Sequence, residues 1–422
     1  MAERPVLALR ARIVLPLSRP PIEDGAVLVS GNRIRAVGSW AELRSRAAGT
    51  TVDLGDAILL PGLINAHCHL DYTDMAGLLP PPRTFTEWIH LMLEAKAQWD
   101  YSEYAASWLR GAHMLLRTGT TTVADIEVVP DLLPDVWEST SLRVHSFLEM
   151  TGIRARRAPR AILQEALDTA DSLPHWRSRA LLSPHAPYST VPELVNATAR
   201  VSRERDWPFS IHLAESIQEF EMFMHGHGEM FRWLNRNQRD MSDCGDVSPV
   251  QHLYKAGALD RRLLAIHVNY LAEGDAELLG RNDVNVVHCP RSRVYFDHSE
   301  FPYHILDTAG ANICLGTDSL ATVRVKPRQK VQLSMLDEAR TFANAMDDVA
   351  PEDIVDMMTR NGARALGFAG RLGELTENAL ADLIAIPSRG DAAQACEAVL
   401  EHTGPVAASM IDGRWAIPPH ST

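Results

Sequence analysis

Residues 59–75, LLPGLINAHCHLDYTDM, run from an apolar stretch straight into two histidines one residue apart. On a strand, side chains at i and i+2 share a face, so His67 and His69 converge while Cys68 points the other way. Two neutral imidazoles with one aim make half of a metal site. An isolated H-x-H is as readily a pair of structural or exposed histidines, so the rest of the chain decides.

Working outward, apolar β-rich runs alternate with helical stretches. The predicted strands are 58–67, TTVADI 121–126, RVHSFLEM 143–150, ALLSPH 180–185, FSIHLAE 209–215, LLAIHVN 263–269, VNVVHC 284–289 and NICLGTD 312–318. Between them lie segments such as YSEYAASWLRGAHMLLRTG, whose apolar residues recur every three or four positions and which stops at Gly119. Eight β-then-α units with near-continuous apolar strands predict a parallel (β/α)8 barrel, an α/β TIM barrel. A doubly wound sheet is the alternative, but no G-x-G-x-x-G follows the first strand.

Nearly every strand ends in a polar residue: His67 and His69, Asp125, Glu149, His185, His212 with Glu215, His267, His288, Asp318. In a barrel these converge on one mouth, where such folds keep their chemistry. A single buried histidine is more often a packing residue than a ligand. Five strands delivering histidines to one rim argue for a site.

The 422-residue chain carries 46% hydrophobic and 23% charged residues, the balance of a soluble globular protein. A formal charge of −13 argues against nucleic acid or an anionic membrane as partner, and leaves a small-molecule substrate. No run is long enough for a membrane span, and MAERPVLALRARIVLPLSRP is broken too often by Arg and Pro for a signal peptide. Cys68, Cys244, Cys289, Cys314 and Cys396 form no C-x-x-C and read as free thiols in a reducing cytoplasm. The ends differ from the middle. VLALRARIVLPL and IEDGAVLVSGNRIRAVG alternate around a Gly-Asn turn, and LADLIAIP and VAASMIDGRWAIP have the same character. The expected division is therefore a small β-sandwich domain built from 1–56 and 369–422, around a barrel of 57–368.

PGLINAHCHL, IHLAES, HCP and GTDS, in this order and spacing, resemble the amidohydrolase superfamily over essentially the whole chain. Within it the chain is most similar to the cytosine deaminase/chlorohydrolase-like branch, which mostly deaminates aromatic amidines. The resemblance implies that His67, His69, His212 and Asp318 bind one divalent metal and that Glu215 and His267 handle protons. Three imidazoles and a carboxylate suit zinc first and iron second, with a position left for water. Such a metal lowers the pKa of water toward ~7. Glu215, three residues past His212, reaches the substrate side and is placed to carry a proton from the attacking water to a ring nitrogen. His267 would stabilise charge at the attacked carbon, and Asp318 would accept the second water proton before ammonia leaves. Binuclear relatives need a bridging carboxylated lysine on the fourth strand; LLSPHAPYST offers His185 and no lysine, so one metal is expected.

Weaker candidates follow. His185 and His288, Trp88 of TFTEW, and Glu149 are expected substrate contacts. FMHGHGEMF holds a second H-x-H, His225 and His227, in a helical or loop stretch where i and i+2 do not share a face, and reads as a decoy. HCHLDY, TFTEW, HLAES, HCPRSRVYF and GTDSLAT look most like aminodeoxyfutalosine deaminases, which convert a 6-aminopurine nucleoside-like compound to its 6-oxo form. Asp71 stands where that pattern has Glu, Arg293 where it has Asn or His, and Glu94 is out of register with the ribose-binding Glu of adenosine-type deaminases. The leading expectation is a deaminase of such a nucleoside. A hydrolase of a chloro- or amino-triazine, pterin or guanine-type ring is second, and a non-catalytic binding protein on the same scaffold third. An aryl carboxylate on the substrate would need a cation. Arg291 and Arg293 beyond the seventh strand are expected there, with Arg154, Arg156 and Arg157 beyond the third as the other group. Dimers are common among the look-alikes, so a homodimer is expected.

Overall fold

A computed structural model describes residues 6–419 apart from 48, 81, 153–156, 175, 327 and 329. Eight parallel strands follow one another in chain order: Leu63–Cys68, Thr120–Glu127, Arg143–Met150, Arg179–Pro184, Phe209–Leu213, Leu263–His267, Asn285–His288 and Asn312–Leu315. The last meets the first through a parallel bridge between Cys68 and Asp318, and the amides of Thr317 and Asp318 donate to the His67 carbonyl at 2.9 and 3.1 Å. That closure needs Gly316, because a Cβ there would come within 2.9 Å of the His67 Cβ and carbonyl oxygen. The expected barrel is present.

Inside it pack Ile64, Ile126, Phe147, Leu181, Ile266 and Val287; the alternate residues face the surrounding helices. Helix Tyr101–Arg117 is representative. Asp100 and Glu103 form a capping box, and Tyr104, Trp108 and Leu115 bury one face. Trp108 Nε1 then donates to Asp125 at 2.9 Å, and the other Asp125 oxygen accepts the Leu70 amide at 2.9 Å. The turn leaving His69 is thereby tied to the second strand.

The chain ends form a second sheet, in the order Arg414–Ile417, Ala408–Ile411, Leu383–Pro387, Ala57–Pro61, Val6–Val14, Ile22–Ser30, Arg33–Ser39, with Thr50–Asp53 also paired to Val6–Val14. It closes over a core that joins Leu9, Val27 and Ile34 to Leu383 and Met410. One expectation is corrected here. The run 58–67 is two strands rather than one, and Ala57–Pro61 belongs to this terminal sheet. The break is Gly62, where a Cβ would overlap the Thr121 side chain at 2.1 Å. The C-terminal segment also contains a helix, Ala395–Glu401, whose Cys396 and Val399 join the barrel's outer core. A buried ion pair crosses between the sheets: Arg143 of the third barrel strand donates to both Asp382 oxygens at 3.1 and 3.2 Å. Among the described residues no helix is long and apolar enough to cross a membrane.

Candidate active site

The strand ends deliver a tight group. Nitrogens of His67, His69 and His212 all lie within 4.8 Å of one another, and this is the metal-capable cluster among the described residues. His67 and His69 rings stand 5.0 Å apart at 90°, so the two do converge as their spacing predicts. Both His67 nitrogens and His69 Nδ1 are buried without a hydrogen-bond partner. Buried polar atoms left unpaired are costly unless a ligand takes them. His212 Nδ1 bonds the His185 carbonyl at 2.9 Å, which assigns the hydrogen to Nδ1 and leaves the Nε2 lone pair open. Burial holds the His69 imidazole well below its ordinary range and His212 down to about 3, so both are neutral donors. Asp318 Oδ1 lies 3.8 Å from Nε2 of both His67 and His69. Burial alone would raise this carboxyl, but the imidazoles of His67, His267 and His69 outweigh it and hold it well below the carboxylate range. The Ser319 amide (2.8 Å) and Thr322 hydroxyl (3.0 Å) donate to its two oxygens. A buried imidazole trio with ring nitrogens left open and an anionic carboxylate beside it fits a divalent metal.

Next to the trio stands a second pair. Glu215 Oε1 is 3.4 Å from His267 Nε2, and both side chains are almost completely buried. Burial, with Asp318 and Glu219 adding, pushes the Glu215 carboxyl well above the ordinary range; burial pushes His267 well below its own. Burial therefore favours the protonated carboxyl at the first and the neutral imidazole at the second. Glu215 is fixed by its backbone, whose amide donates to Glu219 at 2.9 Å while its carbonyl accepts from the Asn269 side chain at 2.9 Å. Glu219 is itself fully buried and pushed up to about 8, chiefly by desolvation.

The remaining expected contacts divide. His185 is at the site, 4.9 Å ring to ring from His212, with Nε2 3.9 Å from Glu149 and Nδ1 bonded to Ser189 at 2.6 Å. Trp88 joins Phe85 and Phe296 in an aromatic cluster and keeps a buried Nε1 without a partner. His288 points outward: it stacks on Phe301 at 3.9 Å, on the same face as Val286, away from the mouth. It is a packing histidine. Arg291 is locked to buried Glu338 and the Gln332 carbonyl, and Arg293 braces the next loop through the carbonyls of His298 and Ser299. Both are corrected to structural roles. Arg157 pairs with exposed Glu165, and Arg154 and Arg156 lie outside the described residues. Glu94 is exposed on helix Phe85–Lys96. His225 and His227 stack on each other at 5.5 Å, apart from the metal-capable group. Asp71 is fully buried with neither oxygen hydrogen-bonded; burial first, then Asp125, pushes it well above the carboxylate range.

Sequence reasoning missed Glu219, Asn269 and His298. The first two act through backbone contacts that spacing does not reveal. His298, in the loop after the seventh strand, meets the Tyr270 hydroxyl at 3.3 Å and stacks near Phe296.

The amidohydrolase family profile matches residues 58–416, and that of a bacterial imidazolonepropionase-like composite domain matches 25–49. The chain is 31% identical over 389 residues to the 5-methylthioadenosine/S-adenosylhomocysteine deaminase of Syntrophobacter fumaroxidans, covering 87% of this chain and 81% of that one. Among solved structures it superimposes on an adenosine deaminase from Xanthomonas campestris with bound zinc (TM-score 0.81, 25% identity, 97% and 92% of the two chains). It also shares the fold of the aminofutalosine deaminase of Helicobacter pylori (TM-score 0.85, 19% identity, 97% and 99%).

Proposed function

Because the chain belongs to the amidohydrolase family, we propose that it is a zinc-dependent deaminase of a 6-aminopurine nucleoside, replacing the ring amino group by oxygen and releasing ammonia. The observation that carries the reading is the juxtaposition of the His67/His69/His212 trio with a buried Glu215, pushed toward its protonated form, 3.4 Å from His267. One member of that pair supplies a proton and the other only a lone pair or a hydrogen bond. The names of the curated relative and of the zinc-bound structure, both adenosine-type deaminases, support the purine.

His67, His69, His212 and Asp318 would hold the metal, whose Lewis acidity brings a water's pKa toward ~7. Glu215 delivers its proton to the ring nitrogen adjacent to the attacked carbon and takes up in its place the first proton that the attacking water gives up, so that the carbon accepts the incoming oxygen without a full negative charge on the ring. His267, neutral and 3.4 Å from Glu215, steadies the oxygen by a hydrogen bond. Asp318, held anionic, accepts the oxygen's remaining proton and passes it to the amino group, which leaves as ammonia. His185 and Glu149, side by side at the rim, are the hydrogen-bonding groups for the sugar. The five free cysteines fit work in a reducing cytoplasm.

The test is ammonia release from adenosine and its 5′-modified derivatives, run beside free purines, pterins, pyrimidines and triazines. Turnover confined to a non-purine ring would overturn the reading.

A further inference from the structure

The loop of residues 237–248, after helix Glu229–Arg236, carries an arginine only 3% exposed, Arg239. Gln238 ends the helix in left-handed backbone, φ 65°, and the Arg239 amide returns to the Leu234 carbonyl at 3.1 Å. The guanidinium then packs over the Phe223 ring at 5.6 Å. Its five N–H groups all find oxygens. Nη1 and Nη2 grip the two Asp243 oxygens at 2.7 and 2.8 Å, and Nη1 also donates to the Asp240 carbonyl at 2.7 Å. Nε donates to the Tyr188 carbonyl at 3.0 Å and Nη2 to the Pro187 carbonyl at 3.1 Å. Burial alone would raise the Asp243 carboxyl, but hydrogen bonds from His252, at 3.0 Å, and from Arg239 outweigh it and hold it below the ordinary carboxylate range. Only the planar guanidinium fork can make this set of bonds; a lysine ammonium has three donors and no fork.

Pro187 and Tyr188 belong to the turn Pro187–Ser189 after the fourth barrel strand. Among the described residues Arg239 is the donor to both of their carbonyls. From the same turn Ser189 Oγ meets His185 Nδ1 at 2.6 Å, and the Ser189 carbonyl accepts the Gly152 amide at 3.0 Å. The His185 carbonyl in turn accepts His212 Nδ1 at 2.9 Å. One run of contacts therefore leads from Asp243 and Arg239 to the rings of His185 and His212.

We infer that Arg239 is a positioning residue for the reaction: through the Pro187 and Tyr188 carbonyls its guanidinium sets the turn from which Ser189 orients His185 and the His185 carbonyl orients His212. The inference rests on the assignment of those two histidines to substrate and metal above. A displacement of about 1 Å by a change remote from the chemistry can cost on the order of a hundredfold in rate. Loss of a group that orients a metal ligand costs about 10- to 100-fold in metal affinity or activity. Arg239 therefore governs turnover as well as stability.

The experiment is a double-mutant cycle on zinc-loaded full-length protein, with R239K, S189A, the double variant and D382A. For each, kcat/KM for adenosine, thermal midpoint and the rate of zinc release to a chelator are measured. R239K and S189A should each lower kcat/KM about tenfold or more, and the double variant should be no worse than R239K alone, since both act on one contact. D382A breaks the buried pair with Arg143 at the opposite end of the barrel strands, so it should lower the midpoint as R239K does and leave kcat/KM unchanged. A kcat/KM for R239K within about twofold of wild type, losses that multiply in the double variant, or an equal loss in D382A each overturns the inference. Should R239K not fold, D243N, which leaves both backbone carbonyls their donor, takes its place in the cycle under the same criteria. Zinc release needs no substrate and separates the two levels. If no nucleoside is deaminated the purine reading fails, while release from R239K about tenfold faster than from wild type and D382A supports the positioning and equal release overturns it.

Discussion

Replacing Glu215 by Gln removes one titratable proton and almost nothing else. The backbone at this position is held by Glu219 and Asn269, so the amide side chain is expected to occupy the same buried space. It can still hydrogen-bond His267, 3.4 Å away. General acid–base catalysis is worth about 10² to 10⁴ in rate, or about 2.7 to 5.4 kcal/mol of barrier. The local electrostatics argue for the upper half of that range. His267 is the titratable side chain beside the Glu215 carboxyl, and burial keeps it neutral, so it has no proton to give in place of Glu215; Asp318 is held anionic and Glu219 is engaged by the Glu215 amide. Water is a poor substitute at a side chain only 7% exposed. The assay is steady-state ammonia release by wild type and E215Q, with metal content and thermal midpoint measured on the same preparations. We expect kcat to fall about 10³- to 10⁴-fold with metal and midpoint unchanged. A kcat within tenfold of wild type, metal retained, would refute the assignment of the proton to Glu215.

Metal analysis should find about one divalent ion per chain, and His67→Ala or His212→Ala should lose metal and turnover together, while changes at His225 or His227 should lose neither; two equivalents per chain would break the mononuclear reading. Asp382→Ala strands the Arg143 guanidinium, whose side chain is 5% exposed, and should cost about 3–5 kcal/mol in urea unfolding. A cost under about 1 kcal/mol would mean that Asp412, at 3.8 Å, takes over as partner. Glu219→Gln bears on pH. The folded-state pKa of about 8 lies above the ordinary 4.5, so the stability Glu219 contributes is full below 4.5 and is lost as pH rises toward 8. Within that window the unfolded chain loses its proton first, which favours unfolding by about 1.4 kcal/mol per pH unit. The variant should therefore gain on wild type steadily from pH 5 to pH 8, and parallel urea midpoints across that range would rule the shift out.

The barrel and its metal face were legible because both obey short periodicities. Alternation places His67 and His69 together, and apolar runs ending in polar residues locate the mouth. The same periodicity misled at two points. LLPGLIN reads as one apolar strand because its two halves are equally buried, and only the collision at Gly62 divides them between sheets. His288 ends a strand as His212 does, but its register puts it on the outer face beside Phe301. Whether a terminal histidine points in or out depends on counting from a residue known to be inside, such as Val287. Arginines were less legible still. Their long side chains pair with whatever carboxylate or carbonyl the fold brings near, and Glu338 reaches Arg291 across 47 positions of sequence.

What no periodicity reveals is the strain in the site. Ala214, His267, Val268 and Asp318 all adopt left-handed backbone, with φ of 49°, 75°, 49° and 51°. Such conformations cost non-glycine residues of order 1–3 kcal/mol each. They persist here because the strand ends bond to one another. The Val268 amide donates to Leu213 at 2.9 Å and the Asn269 amide to Ala214 at 3.0 Å, while the amides of Thr317 and Asp318 both reach His67. Relaxing any of these turns would strand buried amides, at about 1–3 kcal/mol apiece, so strain and bonding are locked together. The consequence is a division of labour. Trio, acid and carboxylate are set before any ligand arrives, and that geometry has little freedom to adapt from one substrate to another. Discrimination among nucleosides then falls to the part of the mouth outside this network. Arg324 and Lys326, exposed just after Val323, are such a part, since they line a cavity of about 920 Å³ beside the strained strand ends. A substitution at Arg324 should therefore move substrate preference without disturbing metal content, whereas changes at Asn269 or Glu219 should lower turnover for every substrate alike.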